Sequence, residues 1–341
     1  MKAVIMAGGL GTRLFPLTQK TPKPLLPIAN RPTIAWAVAG LAKANLSEIV
    51  ITTGFGAEAI VSYLHDGQEF GVHCQFSIED PPRGTAGGLK LAQHYLEGEP
   101  DFLVTSGDCV ANLPFAPVVS YHRAHHALAT MVLSPVDDCG RYGTVETDGD
   151  GRVLSFHEKD PRWAGKPGLV NTGIYVLSAD IFRFIPDGQP FDFGRDLFPQ
   201  LVSQGYPVHA VVTDGYWLDM GVPAQYLQAN FDVISGRAML PVPGKEVAPG
   251  IYLEEGAVVE PGAHLWAPCL VGRGAVVHTG ATVGPMAVVG AGSVLHRKSL
   301  VRNAVLLAET ELPVGGSVQL EIAGPGVRLP VPEIAASIAE A

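Results

Sequence analysis

The sequence predicts two consecutive folds: an α/β domain built on a mixed, mostly parallel sheet, followed by a parallel β-helix. The first prediction rests on short β-branched runs that alternate with longer helical patterns over the first two thirds of the chain. The second rests on a six-residue repeat that begins at Ile251. The chain has 341 residues, which exceeds one ordinary core and agrees with two domains.

The alternation is regular enough to place the elements of the first domain in order. Strands are predicted at 3–7, 49–53, 72–78 and 102–105, and helices at 33–44, 57–64 and 86–96. In such sheets ligands bind beyond the carboxyl ends of the strands. The loops at 8–13 and 106–108, which each follow a strand, are therefore expected to face one cleft.

The repeat region contains ten consecutive hexads, each with an aliphatic residue at its third position. These residues are Leu253, Val259, Leu265, Val271, Val277, Val283, Val289, Leu295, Val301 and Leu307. A row of inward aliphatic residues at this period is typical of short strands stacked into a β-helix. The predicted domains are 1–236 (catalytic), 237–250 (a Pro- and Gly-rich linker), 251–312 (β-helix) and 313–341 (a cap, with a short helix at 332–341).

Composition excludes several functional classes. With 23 basic and 33 acidic residues the formal net charge is −10, which argues against nucleic-acid or anionic-membrane partners. No apolar run approaches the roughly 20 residues of a spanning helix, and no signal peptide precedes the first strand, so a cytoplasmic location is predicted. The four cysteines are widely spaced, as expected of reduced thiols. His122, His125 and His126 are predicted to lie on a solvated helix face without a role.

The glycine loop after the first strand is the first candidate for chemistry. It lacks the lysine of a Walker loop and the third glycine and acidic residue of a dinucleotide fingerprint. Glycines at 8, 9 and 11 let backbone N–H groups approach phosphate oxygens, Arg13 offers a bidentate donor, and Lys23 adds a charge between two prolines. Together these residues predict a polyphosphate-binding loop.

The string GGLGTRLFPLTQKTPKPLLPI at 8–28 resembles the signature of the sugar-1-phosphate nucleotidyltransferases. Further motifs of that family follow in order: GTAGG at 84–88, GD at 107–108, FHEK at 156–159, NTGIY at 171–175 and YWLDMG at 216–221. The resemblance implies a Rossmann-like nucleotidyltransferase domain and a left-handed β-helix. It also implies an Mg²⁺-dependent reaction of a nucleoside triphosphate with a sugar 1-phosphate, which needs no covalent nucleophile.

The resemblance also implies the site residues, by position in these motifs. Catalytic roles fall to Arg13, Lys23 and Asp108, and metal binding to Asp108 and Asp219. The implied nucleotide contacts are Ala7, Gly8, Gly9, Gly11, Thr12, Arg13, Lys23, Glu79, Gly84, Thr85 and Gly107. The implied sugar-phosphate contacts are Gly88, Gly143, Glu158, Lys159, Asn171 and Gly173.

The choice of substrates is a finer prediction. The position of Glu79 implies contact with the base, and a carboxylate only accepts hydrogen bonds, so it matches the N1–H and 2-amino donors of guanine. The stretch 191–199 resembles the mannose-1-phosphate guanylyltransferase branch, whereas Pro81–Arg83 and Asp160 depart from the usual pattern. The alternatives are glucose 1-phosphate with dTTP, UTP, ATP or CTP, and a non-catalytic regulatory subunit. Self-association through the β-helix is also expected.

Overall fold

The structure is a computed structural model that describes residues 1–335, and these form two compact units. The first unit contains Met1–Leu10, Pro22–Pro24 and Ile34–Trp217. The second contains Gly11–Thr21, Leu25–Thr33 and the chain from Leu218 onward. The predicted boundaries at 236, 250 and 312 follow chain order and stay a prediction.

The first unit is built on a nine-stranded sheet whose centre is parallel, as the sequence predicts. Seven strands run in the spatial order Val153–Glu158, Gly143–Thr147, Gly168–Ser178, Asp101–Ser106, Ala3–Met6, Glu48–Thr53 and His73–Ile78. Ala129–Val136 also pairs with Gly168–Ser178, and Val208–Val212 pairs with Ala129–Val136. Two further strands, Cys109–Asn112 and Tyr216–Asp219, lie outside this sheet.

The α-helices are Thr33–Lys43, Ala57–Leu64, Gly84–Leu91, Phe115–Ala124, Phe198–Ser203 and Pro223–Ile234. The three helices predicted in the first domain are thus confirmed, although the third ends at Leu91 and continues as a 3₁₀ turn over Gln93–Leu96. One helix prediction was wrong in detail. His122 faces the core at 2% exposure, where its ring contacts the Thr130 hydroxyl and Asp101, rather than solvent.

The second unit contains a parallel β-helix with three faces. Its first face stacks Ile251–Leu253, Cys269–Val271, Ala287–Val289, Ala304–Leu306 and Glu321–Gly324. The second face stacks Val258–Val259, Val276–Val277, Val294–Leu295 and Glu311–Leu312, and the third stacks His264–Leu265, Thr282–Val283, Leu300–Arg302 and Ser317–Gln319. The parallel strands therefore continue beyond residue 312.

The six-residue register slips once within the predicted repeat. Val271 pairs with Val289 eighteen residues on, but Val289 pairs with Leu306 only seventeen residues on. The corner before Ala304 is one residue short, and its Asn303 adopts a left-handed conformation with φ of 49°. Because a one-residue slip exchanges inward and outward side chains, Leu306 enters the core at 1% exposure, and the prediction of Leu307 was wrong.

The outward side of the first face is covered within the second unit. The middle residues of its strands, Leu270, Val288, Val305 and Ile322, are no more than 2% exposed, and the helix Pro223–Ile234 packs on the last two strands. A hairpin of strands Pro27–Ile28 and Arg31–Pro32 lies beside that helix.

Side-chain hydrogen bonds fix the hairpin in place. Asn230 accepts a hydrogen bond from the N–H of Ala29 at 2.8 Å, and the hydroxyl of Tyr226 donates to the carbonyl of Pro27 at 2.7 Å. The amide of Asn30 donates to the carbonyl of Val289 at 3.0 Å. Both the helix and the hairpin therefore pack on the first face of the β-helix.

Both ends of the first face carry an antiparallel strand. Lys245–Ala248, inside the predicted linker, pairs with Ile251–Leu253, and Val327–Pro330 pairs with Glu321–Gly324. Of the helix predicted at 332–341, residues 336–341 lie outside the described residues.

The four cysteines, Cys74, Cys109, Cys139 and Cys269, are buried free thiols, as the sequence predicts. Within residues 1–335, no helix has the length and apolar character needed to cross a bilayer.

The register slip predicts that alanine substitutions at Leu306 and Leu307 lower the stability of the β-helix by different amounts. Leu306→Ala removes a fully buried side chain and is expected to destabilise the β-helix by about 2–5 kcal/mol, whereas Leu307→Ala, at a half-buried position, is expected to cost clearly less. Thermal unfolding of both variants followed by circular dichroism measures the difference. Equal losses, or a larger loss for Leu307→Ala, would contradict the register.

Candidate functional site

A cleft of about 300 Å³ opens in the first unit where the parallel strands end. Its walls include Met6 from the first strand, Thr52 from Glu48–Thr53 and Ser106 from Asp101–Ser106. The remaining lining residues are Ala7, Gly8, Gly9, Pro24, Glu79, Pro82, Gly84, Thr85, Asp108 and Asp192. The cleft lies where the strand order predicts it. Six of the predicted nucleotide-contacting residues line it, Ala7, Gly8, Gly9, Glu79, Gly84 and Thr85, together with Asp108, which was predicted as a catalytic residue and metal ligand.

A buried ion pair lies at the cleft. The ammonium of Lys23 is 2.7 Å from Oδ2 of Asp108, and Lys23 is only 6% exposed. The hydroxyl of Ser106 donates to Oδ1 of the same carboxylate. Burial by itself raises the pKa of Asp108, but the charge and hydrogen bond of Lys23, with the Ser106 bond, outweigh it and hold that pKa below its ordinary value. Asp108 is therefore an ionised carboxylate beside a fixed cation.

Glu79 is recessed between two glycines in the cleft wall. A Cβ on Gly8 would lie 3.2 Å from Oε1 of Glu79, and a Cβ on Gly88 would overlap the same oxygen. Oε2 accepts the N–H of Arg83 at 2.9 Å, and within residues 1–335 this is the carboxylate's one hydrogen bond. Burial raises the pKa of Glu79, partly offset by the N–H and charge of Arg83. Oε1 thus keeps its capacity to accept.

The loop at 84–87, which forms the first turn of the helix Gly84–Leu91, is held by the segment Phe191–Phe193. Thr85 donates both its N–H and its hydroxyl to Oδ1 of Asp192 at 3.2 Å, and the same hydroxyl accepts the N–H of Phe193 at 2.9 Å. The carbonyl of Phe191 accepts the N–H groups of Ala86 and Gly87, both at 2.9 Å. The hydroxyl of Thr85 is thus engaged by the protein.

The predicted sugar-phosphate residues gather around Glu158, also in the first unit. A Cβ on Gly143 would lie 2.8 Å from Oε2 of Glu158, and the ammonium of Lys159 is 3.2 Å from Oε1. Asn171 donates to the hydroxyl of Tyr175 at 2.8 Å and accepts the N–H of Gly173 at 3.0 Å, which fixes the orientation of its amide.

This group adjoins the cleft. Strand Gly168–Ser178 pairs with Asp101–Ser106, and a Cβ on Gly173 would lie 3.9 Å from that of Ser106. Gly88 is placed against Glu79 rather than beside Glu158. Asp160, which departs from the family pattern, caps the short 3₁₀ turn Pro161–Trp163 and binds the guanidinium of Arg162, which lowers the pKa of Asp160 to about 2.

Of the remaining predicted residues, Gly11, Thr12, Arg13 and Asp219 belong to the second unit. Gly11, with φ of 63°, precedes the 3₁₀ turn Thr12–Leu14, and its carbonyl accepts the hydroxyl of Thr18 at 2.7 Å. Arg13 and Asp219 lie together there: a Cβ on Gly221 would be 2.6 Å from Oδ2 of Asp219 and 3.1 Å from the guanidinium of Arg13. Gly107, in the first unit, donates its N–H to the carbonyl of Met6 at 2.8 Å.

The carboxylates present suit Mg²⁺ better than a metal that needs a full protein cage. Within residues 1–335, no three His, Cys, Asp or Glu side chains converge as metal ligands. Magnesium typically takes one or two protein carboxylates and completes its shell with water and phosphate oxygens. The lowered pKa of Asp108 keeps it in the anionic form that such a ligand requires.

Residues 2–236 match the family model described as "Nucleotidyl transferase". The chain belongs to the nucleotidyl transferase family. Over 265 residues it is 37% identical to a UTP–glucose-1-phosphate uridylyltransferase of Synechocystis, covering 74% of this chain and 68% of that protein. Over 234 residues it is 36% identical to a mannose-1-phosphate guanyltransferase of Candida albicans, covering 67% of this chain and 64% of that protein.

A solved structure has the same fold. HddC from Yersinia pseudotuberculosis, in a complex with GMP-PN, superposes with a TM-score of 0.59 at 30% identity. The match covers 67% of this chain and 97% of that one. Family membership thus confirms the resemblance stated from the motifs.

Sequence reasoning missed two residues that the site contains. Asp192 lines the cleft and holds Thr85, and a Cβ on Gly194 would lie 2.6 Å from Oε2 of Glu158. The string FDFG at 191–194 was a visible signal, but it indicated only a branch of the family, because the hydrogen bonds that hold it against residues 83–87 join distant parts of the sequence.

The ion pair predicts that substitution of Lys23 lowers stability and turnover, whereas substitution of the nearby Lys20 does not. Lys23→Met leaves the Asp108 carboxylate, whose side chain is 30% exposed, without its cation, so a loss of about 1–3 kcal/mol in unfolding free energy is expected together with loss of turnover. Lys20→Met, at an exposed position, is the matched control and is expected to change neither. Denaturant unfolding and pyrophosphate release measure the two effects. Similar behaviour of the two variants would contradict a structural and functional pair at Lys23.

Proposed function

We propose that this sugar-1-phosphate nucleotidyltransferase transfers the guanylyl group of GTP to mannose 1-phosphate, which gives GDP-mannose and pyrophosphate. The observation that carries the proposal is the recessed carboxylate of Glu79 in the cleft wall, with one oxygen left to accept. The coarser activity rests on the family match over residues 2–236.

The chemistry of the base edge favours guanine. Guanine presents two adjacent donors, N1–H and the 2-amino group, which a carboxylate can accept together. Uracil and thymine present a single N3–H between two carbonyl oxygens, and those oxygens would face the negative charge of Glu79. Gly8 and Gly88 flank the Glu79 carboxylate closely, and a side chain at either position would crowd it.

The reaction needs two anions to be brought together and the charge of the leaving pyrophosphate to be stabilised. In the proposal, a phosphate oxygen of the sugar 1-phosphate attacks the α-phosphorus of GTP, and the bond from that phosphorus to the β-phosphate oxygen breaks. Lys23 supplies a fixed positive charge in the first unit, and Arg13 is assigned to the triphosphate by its position in the glycine motif.

Mg²⁺ is part of the proposal, with Asp108 and Asp219 as its protein ligands. When bound, the ion would neutralise charge on the phosphate oxygens. The residues of the chain supply the rest: Ser106 fixes the carboxylate of Asp108, and Lys23 keeps it ionised.

The sugar phosphate is assigned to the group around Glu158. The proposal assigns the ammonium of Lys159 to the phosphate, and Glu158 and Asn171 to sugar hydroxyl groups, as their positions in the family motifs imply. Asn171 is already held by Tyr175 and Gly173, so its amide is preorganised rather than mobile. Preorganised polar groups lose little entropy when the substrate binds.

One observation favours a second candidate. The uridylyltransferase relative is 37% identical over 265 residues, so UTP with glucose 1-phosphate is the alternative pair. A non-catalytic regulatory subunit is the remaining alternative, and the paired Lys23 and Asp108 argue against it because binding alone does not require a buried charged pair. A cytoplasmic location and self-association through the β-helix remain proposals.

Pyrophosphate release from a grid of substrates tests the function. Purified protein with Mg²⁺ is assayed with GTP, UTP, dTTP, ATP and CTP against mannose, glucose, N-acetylglucosamine and heptose 1-phosphates. Highest turnover with GTP and mannose 1-phosphate is expected, with near-complete loss in Arg13→Ala and Asp108→Asn. A preference for another pair would refute the assigned substrates. No pyrophosphate release with any pair would favour the non-catalytic regulatory subunit.

Glu79 predicts a specific pH dependence. Because burial raises its pKa, the carboxylate is protonated at a higher pH than an exposed glutamate, so the KM for GTP should rise as pH falls through that pKa. Glu79→Gln should raise the KM for GTP by about tenfold, corresponding to about 1.4 kcal/mol, and should abolish this pH dependence. Steady-state kinetics from pH 5 to 8 measure both. An unchanged GTP preference in the variant would exclude base contact by Glu79.

A further inference from the structure

The segment Phe191–Gly194 contacts both groups of substrate residues in the first unit. On one side it holds the loop at 84–87 through Asp192, Phe191 and Phe193. On the other side Gly194 lies against the carboxylate of Glu158. These two contacts are separated by one residue, so the segment spans from the nucleotide loop to the sugar-phosphate group.

We propose that Asp192 and Gly194 are positioning residues, one for each substrate. Asp192 holds Thr85 and thereby the loop that closes on the nucleotide, while Gly194 leaves the space that the Glu158 carboxylate needs to face the sugar. The proposal rests on the proposed function for the assignment of the nucleotide to the cleft and of the sugar to Glu158.

Asp192 holds Thr85 by accepting hydrogen bonds, and this contact does not depend on the negative charge of the carboxylate. A single oxygen, Oδ1, accepts both the N–H and the hydroxyl of Thr85, and the N–H of Asp192 itself is anchored by the carboxylate of Asp196 at 2.8 Å. Asparagine keeps an oxygen at the position of Oδ1 and can accept the same two donors. Alanine removes the acceptor.

The requirement at Gly194 is one of space rather than of backbone conformation. Its φ lies outside the left-handed region, so an alanine meets no backbone strain. A Cβ there would lie 2.6 Å from Oε2 and 3.0 Å from Cδ of Glu158. The atoms that must move are the far end of a flexible side chain, so the fold can accommodate the methyl group. The carboxylate cannot keep its position.

The segment continues into a short π-helical turn at Phe193–Leu197, which is anchored in the core by Phe193, Leu197 and Phe198, all at 2% exposure or less. Such turns are rare and are frequent at functional sites. The core thus fixes the segment, and the segment fixes the spacing between the two substrate groups. Reactions between two bound substrates depend steeply on that spacing.

The experiment compares four variants with the wild type, using the substrate pair that the grid identifies. Asp192→Ala is expected to raise the KM for the triphosphate about fivefold, and Asp192→Asn is expected to restore it. Gly194→Ala is expected to raise the KM for the sugar 1-phosphate at least tenfold while that for the triphosphate changes less than twofold. Gly149→Ala is the matched control, since no atom lies within 4 Å of its added Cβ and its φ is also outside the left-handed region.

Two measurements exclude a general structural effect. The melting temperature of Gly194→Ala should match that of Gly149→Ala, because only the Glu158 carboxylate moves. A Thr85→Val and Asp192→Ala double variant should bind the triphosphate no more weakly than the worse single variant, as calorimetry would show, because both changes remove one shared interaction.

The outcomes separate this proposal from the proposed function. Another substrate pair could be preferred while Asp192→Ala still raises the KM for the triphosphate and Gly194→Ala still raises that for the sugar 1-phosphate. This result supports the positioning roles and refutes only the assigned substrates. If no pair reacts, calorimetry of GTP binding decides: weaker binding in Asp192→Ala alone supports its role, and unchanged binding overturns it. Equal effects of Gly194→Ala on both substrates, or failure of Asp192→Asn to restore binding, would also overturn the proposal.

Discussion

The Lys23–Asp108 ion pair is the interaction on which the cleft depends. A lysine at 6% exposure is stable only with a close counter-charge, and its carboxylate partner is only partly exposed. The flanking residues Pro22 and Pro24 restrict the backbone on either side of Lys23, which reduces the freedom lost when the pair forms. The strand Asp101–Ser106 brings Ser106 and Asp108 to the carboxyl end of the sheet. The cleft therefore has a fixed pair of opposite charges at its wall before any phosphate arrives.

Two recessed carboxylates recur with the same construction. Glu79 lies between Gly8 and Gly88, and Glu158 lies between Gly143 and Gly194. At each position a side chain in place of either glycine would crowd the carboxylate, so the glycines let the acceptor keep its position. The chain thus uses acceptor groups for recognition and cationic groups for phosphate, which separates specificity from electrostatic attraction. An overall charge of −10 is compatible with anionic substrates because the cations are local.

The sequence predicts the elements of the first unit well because their patterns are local. Alternating patterns locate the strand Ala3–Met6 and the helix Ala57–Leu64 within a residue or two, and Gly8 and Gly9 of the glycine motif line the cleft. Contacts between distant parts of the chain are not accessible in this way. Asp192 meets Thr85 across 107 residues, and no periodic signal encodes that distance. The burial of His122 is missed because a single histidine carries too little amphipathic signal to report burial.

In the β-helix, too, the sequence pattern predicts less than the structure shows. A six-residue period identifies the inward row, yet one short corner at Asn303 moves the register by a single residue, so that Leu306 replaces Leu307. Both are leucine, and composition alone cannot distinguish them. Val288 and Val305 are large and aliphatic on the first face and buried there, whereas the third face presents His264 and Thr282 at the equivalent positions. An aliphatic outward residue does not by itself indicate a covered face, since Val258 on the second face is 50% exposed. Which side of the β-helix is covered therefore depends on where the helix and the hairpin pack, and the repeat does not encode that.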